Sequence, residues 1–394
     1  MKNIFRLSKL YKFSFLTVFF LILFYPLIFM SKENISKQEN RTLEKLPSFV
    51  DTQGFNTKFG QQFENYFLDH FGGREKFILL YYRLLRQITH KTENKYAFMT
   101  ESGWIFDKFQ IKTFSSGISD NTIKSIKQTL LELNIWSNLH QIKTYLLIVP
   151  EKENLLLPDS YYTPPSPDKV NILLSQLSDS PITILYPKKL YEMKYADYTF
   201  FHTDHHWSEF GAFLAYEALM EIMKKDFPKI HICTEDEFDT FYNTQARKGS
   251  FNKIFDRPYY QGSGCPKIGL KENECPLTHP YKYYNHKDKP SLLVKKGTLR
   301  QSILTHFSKV HNDYRVTVLG YSDAGFLMSF LPFSFRDVNM LRINNNEQEN
   351  KLSMERFEKS ILDFKSDALV IAVRASLVNE LTDLFYSDKI MEKK

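Results

Sequence analysis

Two short stretches hold side chains that can act together. In FFHTDHHWSEF, residues 200–210, Asp204 and His206 stand two apart in a turn. A carboxylate so placed can accept a hydrogen bond from one imidazole nitrogen and leave the other free as a general base. In VTVLGYSDAG, residues 316–325, an apolar run enters Gly320 and Tyr321 before Ser322 opens helical sequence. A serine on such a strand-to-helix turn exposes its hydroxyl, and the backbone N–H groups beside it can face a developing oxyanion. On these residues alone, Ser322 reads equally well as a helix N-cap. His202, Asp204, His205 and His206 are also zinc ligands by type. No second His and Asp cluster supplies further ligands at a zinc-like spacing. These residues therefore argue for no metal and no cofactor, and leave Ser322 as either a nucleophile or a cap.

Such groups need a rigid frame, and the rest of the chain reads as one. KTYLLIVP (143–150), ITILY (182–186), VTVLG (316–320), VNMLRI (338–343) and ALVIAV (368–373) are continuous apolar runs of strand length. Helical patterns at 120–140, 168–179, 208–225, 322–332 and 353–364 alternate with them, the first opened by Ser119 or Asp120 and the third by Ser208. Interleaving of this kind predicts an α/β fold, a mostly parallel sheet covered on both faces. Its reactive groups would gather beyond the carboxyl ends of the strands. Residues 58–89 predict two helices broken at Gly72 and Gly73, and 229–310 an irregular insertion. Tyr259, Tyr260, Tyr281, Tyr283 and Tyr284 in that insertion are candidates either for stacking on sugar rings or for ordinary surface packing.

The chain has 394 residues, 43% hydrophobic and 25% charged, enough to bury a full core. The net charge of +7 does not indicate nucleic acid. Lys2, Arg6, Lys9 and Lys12 supply four charges ahead of any acid, leaving 7 − 4 = +3 for the remainder. These basic residues precede FSFLTVFFLILFYPLIFM, residues 13–30, an uncharged apolar run long enough to cross a bilayer. The positive-inside bias puts residues 1–12 in the cytoplasm and all that follows residue 31 outside. The run ends in Phe29, Met30 and Ser31, without the small residues of a cleavage site, which predicts a retained anchor followed by a polar stalk at 31–57. Cys265 and Cys275 flank a short loop and can pair, leaving Cys233 free.

DHHW followed by a helix resembles the DHHW family and the alginate O-acetyltransferase AlgX/AlgJ-like proteins. QENRTLEKLPSF, FENYFLDHFGGRE, ESGWIF, VPEK and the closing ALVIAVR are similar to that family's other motifs, in the same order. The resemblance implies a three-layer SGNH-hydrolase-like domain over 58–394, in which Asp204 orients His206, His206 is the base and Ser322 the nucleophile. It also implies Arg374, Trp207 and His205 as substrate-binding residues, with Ser329 a weaker substitute nucleophile. The chain departs from the family pattern at Tyr321, where relatives carry a small or acidic residue, and at Asp323, where many have Phe. The activity implied is transfer of acetyl groups to a secreted or cell-surface polysaccharide through an acyl-serine. The expected setting is the cytoplasmic membrane, single-pass, with the catalytic domain periplasmic or otherwise extracytoplasmic. A multi-spanning membrane acyltransferase would supply the acetyl group. An acetyl-esterase with the same residues, or a non-catalytic glycan-binding subunit, are the alternative readings.

Overall fold

The computed structural model describes residues 2–36, 41–51, 54–89, 93, 97–100, 104–157, 169–193, 199–201, 204–243, 281–286, 291–293, 302–306, 310–343 and 354–382. The chain divides into two compact units, one built mainly from residues 1–91 and a larger one from the residues beyond.

In the larger unit all five expected runs are strands of one sheet. We number its strands β1 (Lys143–Val149), β2 (Thr183–Leu185), β3 (Ser291–Leu293), β4 (Ser302–His306), β5 (Arg315–Gly320), β6 (Asp337–Arg342) and β7 (Ala368–Arg374). The spatial order is β3-β4-β6-β5-β7-β1-β2. From β6 to β2 every pairing is parallel, whereas β4 joins β6, and β3 joins β4, antiparallel. Strands β3 and β4 come from the segment expected to be irregular, as does the ladder of Phe238–Asn243 with Tyr281–His286. Their short, tyrosine- and lysine-interrupted runs lack the apolar continuity of a strand buried on both faces.

Side-chain alternation along the strands separates two cores. Tyr145, Leu147, Val316, Val318, Val370 and Ala372 pack with Phe213, Tyr216, Leu219 and Met220 of helix α1 (Glu209–Met223). Leu146, Ile148, Leu319, Leu369 and Ile371 point the other way, onto Ile126 and Leu130 of Asp120–Leu139, Val170 and Leu173 of Lys169–Gln176, and Phe357 and Ile361 of Met354–Phe364. This is a three-layer α/β fold, and its period-two alternation is what lets one sheet bury both faces. The cap expected at Ser119 is made, its hydroxyl accepting from the Thr122 N–H.

In the smaller unit the N-terminal helix runs Lys2–Ile28, and its Tyr11–Ile28 part is apolar and long enough to cross a membrane. Helices Phe59–His70 and Arg74–Thr89 belong to this compact unit. Gly72 between them is required by contact, since a Cβ there would lie 2.5 Å from the Phe29 carbonyl oxygen. The stalk contains two short antiparallel pairs, Ile35–Ser36 with Arg41–Thr42 and Val50–Asp51 with Gly54–Phe55. Cys233 is a buried free thiol. His202, Tyr259, Tyr260, Cys265 and Cys275 lie outside the described residues.

Candidate active site

Strand β5 delivers Ser322 to the carboxyl edge of the sheet. Gly320 ends the strand where no side chain fits, because a Cβ would fall 2.6 Å from the Ala372 carbonyl oxygen and 2.8 Å from the Ala324 Cβ. The chain then turns into a 3-10 helix, Ser322–Ser329, whose first N–H groups the helix itself does not consume. The departure at Tyr321 is absorbed by alternation. Tyr321 joins Leu319 in the second core and its hydroxyl donates to Glu380 Oε2 at 2.8 Å, so its ring points away from Ser322's partners.

The Asp204–His206 turn is the tip of a narrow loop. Phe200 bridges to Trp207, Ser208 N–H donates to the Thr199 carbonyl at 2.8 Å, and Phe201 N–H to the His206 carbonyl at 3.2 Å. Ser208 then caps α1 by accepting from the Gly211 N–H. Within the turn His206 Nδ1 lies 2.5 Å from Asp204 Oδ1, and on its far side His206 Nε2 lies 2.7 Å from Ser322 Oγ. Three side chains, two of them 116 positions apart in sequence, therefore form one hydrogen-bonded line. With Nδ1 bonded to a carboxylate, the proton sits there and Nε2 presents its lone pair to the serine hydroxyl. Donor atoms of Asp204, His205 and His206 all lie within 4.8 Å of one another, as a metal set would require. Both nitrogens of His206 are already engaged, however, which suits a proton relay better than a metal ligand. His231, Cys233 and Glu237 also converge, but Glu237 accepts from both Thr234 and His231 in a capping box.

The remaining expected contacts are distributed differently. The His205 ring stacks on that of His206 at 3.9 Å between centroids, and burial together with the neighbouring His206 pushes its pKa well below the usual value. A quarter of its side chain is exposed. Trp207 is 1% exposed and its indole N–H donates to the Asp323 carbonyl at 3.1 Å, tying the His206 loop to the Ser322 turn. Trp207, expected to bind substrate, is thus packed between the two turns. Arg374, at the end of β7, also faces inward. Its guanidinium lies 3.3 Å from Asp323 Oδ2 and 3.8 Å from Glu151 Oε1, ion pairs that a substrate anion would have to displace. Burial opposes its charge, but Asp323 and Glu151 outweigh that and raise its pKa.

A buried polar layer beneath the loop was not read as functional in the sequence. Lys152, with no exposure at all, donates to the Asp204 carbonyl at 2.5 Å and the Phe201 carbonyl at 3.1 Å. Its ammonium sits 5.9 Å and 5.7 Å from the ring centres of Trp104 and Phe106. Burial lowers its pKa, while the charges of Glu153 and Asp204 work to keep it protonated. Glu151 accepts from the Ser376 N–H and hydroxyl, and burial raises its pKa to about 7 against the opposing pull of Arg374 and Ser376. The visible signal was VPEK, a lysine directly after a strand too apolar to leave it at the surface.

Residues 98–273 match the family model of the SGNH hydrolase-like domain, acetyltransferase AlgX. No curated protein matches the sequence. Among solved structures, PatB1 of Bacillus cereus with a sulfonyl adduct is 15% identical with a TM-score of 0.52, covering 73% of this chain and 99% of its own. A DHHW family protein from Eubacterium siraeum is 13% identical with a TM-score of 0.50, covering 74% and 96%. The resemblance read in the sequence holds: residues 98–273 are similar to that family, and the fold is the one these solved structures share.

Proposed function

We propose that the protein is an O-acetyltransferase that moves an acetyl group onto a hydroxyl of a secreted or cell-surface polysaccharide through an acyl-Ser322 intermediate. One observation carries the reading: His206 stands between Asp204 and Ser322 at 2.5 and 2.7 Å. Ser322 Oγ attacks the acetyl carbonyl as His206 Nε2 takes its proton, and Asp204 holds the imidazolium that forms. His206 returns that proton to the departing oxygen of the donor. A sugar hydroxyl then attacks the acyl carbon, gives its proton to His206, and Ser322 leaves with a proton back on Oγ. N–H groups at the start of the Ser322–Ser329 helix face the oxyanion in both steps. His205 contacts the acceptor at the rim.

The helix Tyr11–Ile28 anchors the chain in the cytoplasmic membrane with the catalytic unit outside. Acetyl-CoA is cytoplasmic, so a multi-spanning membrane acyltransferase is the donor's source. The test supplies a p-nitrophenyl acetyl ester with and without oligosaccharide. Acetylated sugar, together with an acetyl mass on the peptide bearing Ser322, is the expected result. Release of free acetate unaffected by sugar makes the protein an esterase. PatB1 has been solved with a sulfonyl adduct, so a sulfonyl fluoride is a suitable probe, and failure to label Ser322 at all would favour the binding-subunit reading.

A further inference from the structure

The two helices of the smaller unit are fastened to the end of the apolar helix. Gly72 N–H donates to the Pro26 carbonyl at 2.8 Å, Ser31 N–H to the His70 carbonyl at 2.7 Å, and His70 Nδ1 lies 2.9 Å from the Ser31 carbonyl. At the same junction the Phe77 ring meets the Tyr25 ring edge-on at 6.5 Å. The helix Arg74–Thr89 therefore starts at the depth where Tyr11–Ile28 ends. Along it, Phe77, Leu80, Leu84 and Ile88 recur at helical spacing on one face. All four are open to the surroundings, at 44%, 46%, 46% and 76% exposure. From Phe77 to Ile88 the stripe runs about 16 Å. Water does not favour an apolar strip that long. The helix begins with Arg74 and Lys76, cations suited to lipid phosphate, with Glu75 as the one acid in its first turn.

We infer that the Arg74–Thr89 helix lies in the outward-facing lipid surface, with Phe77, Leu80, Leu84 and Ile88 in the acyl boundary, so that the chain is held by a span and a collar together. The inference rests on reading Tyr11–Ile28 as a membrane anchor. The occupant is the bilayer because the stripe is continuous with the apolar helix at Tyr25 and Phe77. A collar of this kind limits tilting about the single span, and so fixes the height at which the chain leaves the membrane.

The full-length protein, in vesicles of phosphatidylethanolamine and phosphatidylglycerol, is given a photoreactive p-benzoylphenylalanine in place of Phe19, Leu84, Ile88 or Lys124, one at a time. Phe19 reports the span and Lys124 an exposed site on the larger unit. Lipid adducts at Leu84 and Ile88 should approach the Phe19 yield and exceed that at Lys124 about tenfold. Yields at Leu84 and Ile88 no higher than at Lys124, with Phe19 labelled, would overturn the collar and leave the anchor intact. Cross-links from Leu84 or Ile88 to a second copy, or in cells to another membrane protein, in place of lipid would overturn it as well. If Phe19 itself fails to label lipid, the anchor falls and the collar with it.

Discussion

The turn that carries Ser322 is shaped by its own strand and the backbone of the strand beside it, whereas the loop that carries Asp204 and His206 is also held by side chains that reach across from other elements. At Ser322 a buried strand ends on a glycine pressed against Ala372, Tyr321 falls into the second core, and the Ala324 N–H closes the turn onto the Tyr321 carbonyl. At His206 the tip is fixed by Lys152, which follows a different strand, and by Trp207 reaching across to Asp323. Ser322 thus sits on a stiff feature of the sheet edge. His206 is placed by a few buried hydrogen bonds, each a point at which its aim can be lost while the fold survives.

The largest expected effect tests whether the two sides work as a unit. Ser322→Ala and His206→Ala should each lower acetyl transfer by about a thousandfold or more, and the double variant should lose little beyond either alone. Asp204→Asn should lose somewhat less, since it disturbs the tautomer of His206 without removing an attacking group. Melting temperatures near the parent's would show that chemistry and not folding was lost. Additive losses in the double variant would mean that the two groups do not share a step. A metal at this turn would instead make His205→Ala as harmful as His206→Ala and leave Ser322→Ala nearly silent.

Lys152→Met attacks the distant support of the base. Two buried carbonyls lose their donor, at a cost on the order of 3 kcal/mol. If Lys152 aims the loop, kcat should fall by about tenfold in the fraction that remains folded, with KM little changed. Lost stability with unchanged kcat would make the lysine structural only. Gly320→Ala probes the local side. Its methyl would meet backbone rather than a flexible side chain, so a loss of about 2 kcal/mol is expected in denaturant unfolding. A neutral result would show that the turn is softer than its contacts imply.

The last effect is a slope. Glu151 holds its proton more tightly in the folded protein, with its pKa raised to about 7 from 4.5. Between those values the folded state binds more protons than the unfolded one, so its contribution to stability falls as pH rises through that window, by at most about 1.4 kcal/mol per pH unit. Glu151→Gln keeps the shape and removes the titration. The difference between parent and variant unfolding curves should slope from pH 5 to 7 and flatten above. A flat difference throughout would show that Arg374 keeps Glu151 ionised.

Much of this was legible in the sequence because its signals are local. Five apolar runs of strand length, with helical patterns between them, are the five parallel strands. Asp204 and His206 are close enough in the chain that a single turn brings them together. The strands Ser291–Leu293 and Ser302–His306 were not legible. Edge strands pair through backbone and need no continuous apolar pattern. The inward turn of Trp207 and Arg374 was hidden for a related reason, since residue type does not say which way a side chain faces in a loop or at the end of a strand.

By itself the sequence determined the strand and helix types, the apolar helix at the N-terminus, and a carboxylate–imidazole pair inside one turn, all of which follow from periodicity and short spacing. The tertiary structure alone decided that His206 meets Ser322 across 116 positions, that Tyr321 points away from that meeting, and that Lys152 lies beneath it. Each depends on strand order. Because β5 pairs with β7 and β7 with β1, the carboxyl ends of segments remote in sequence converge at one edge, and no local pattern encodes that order.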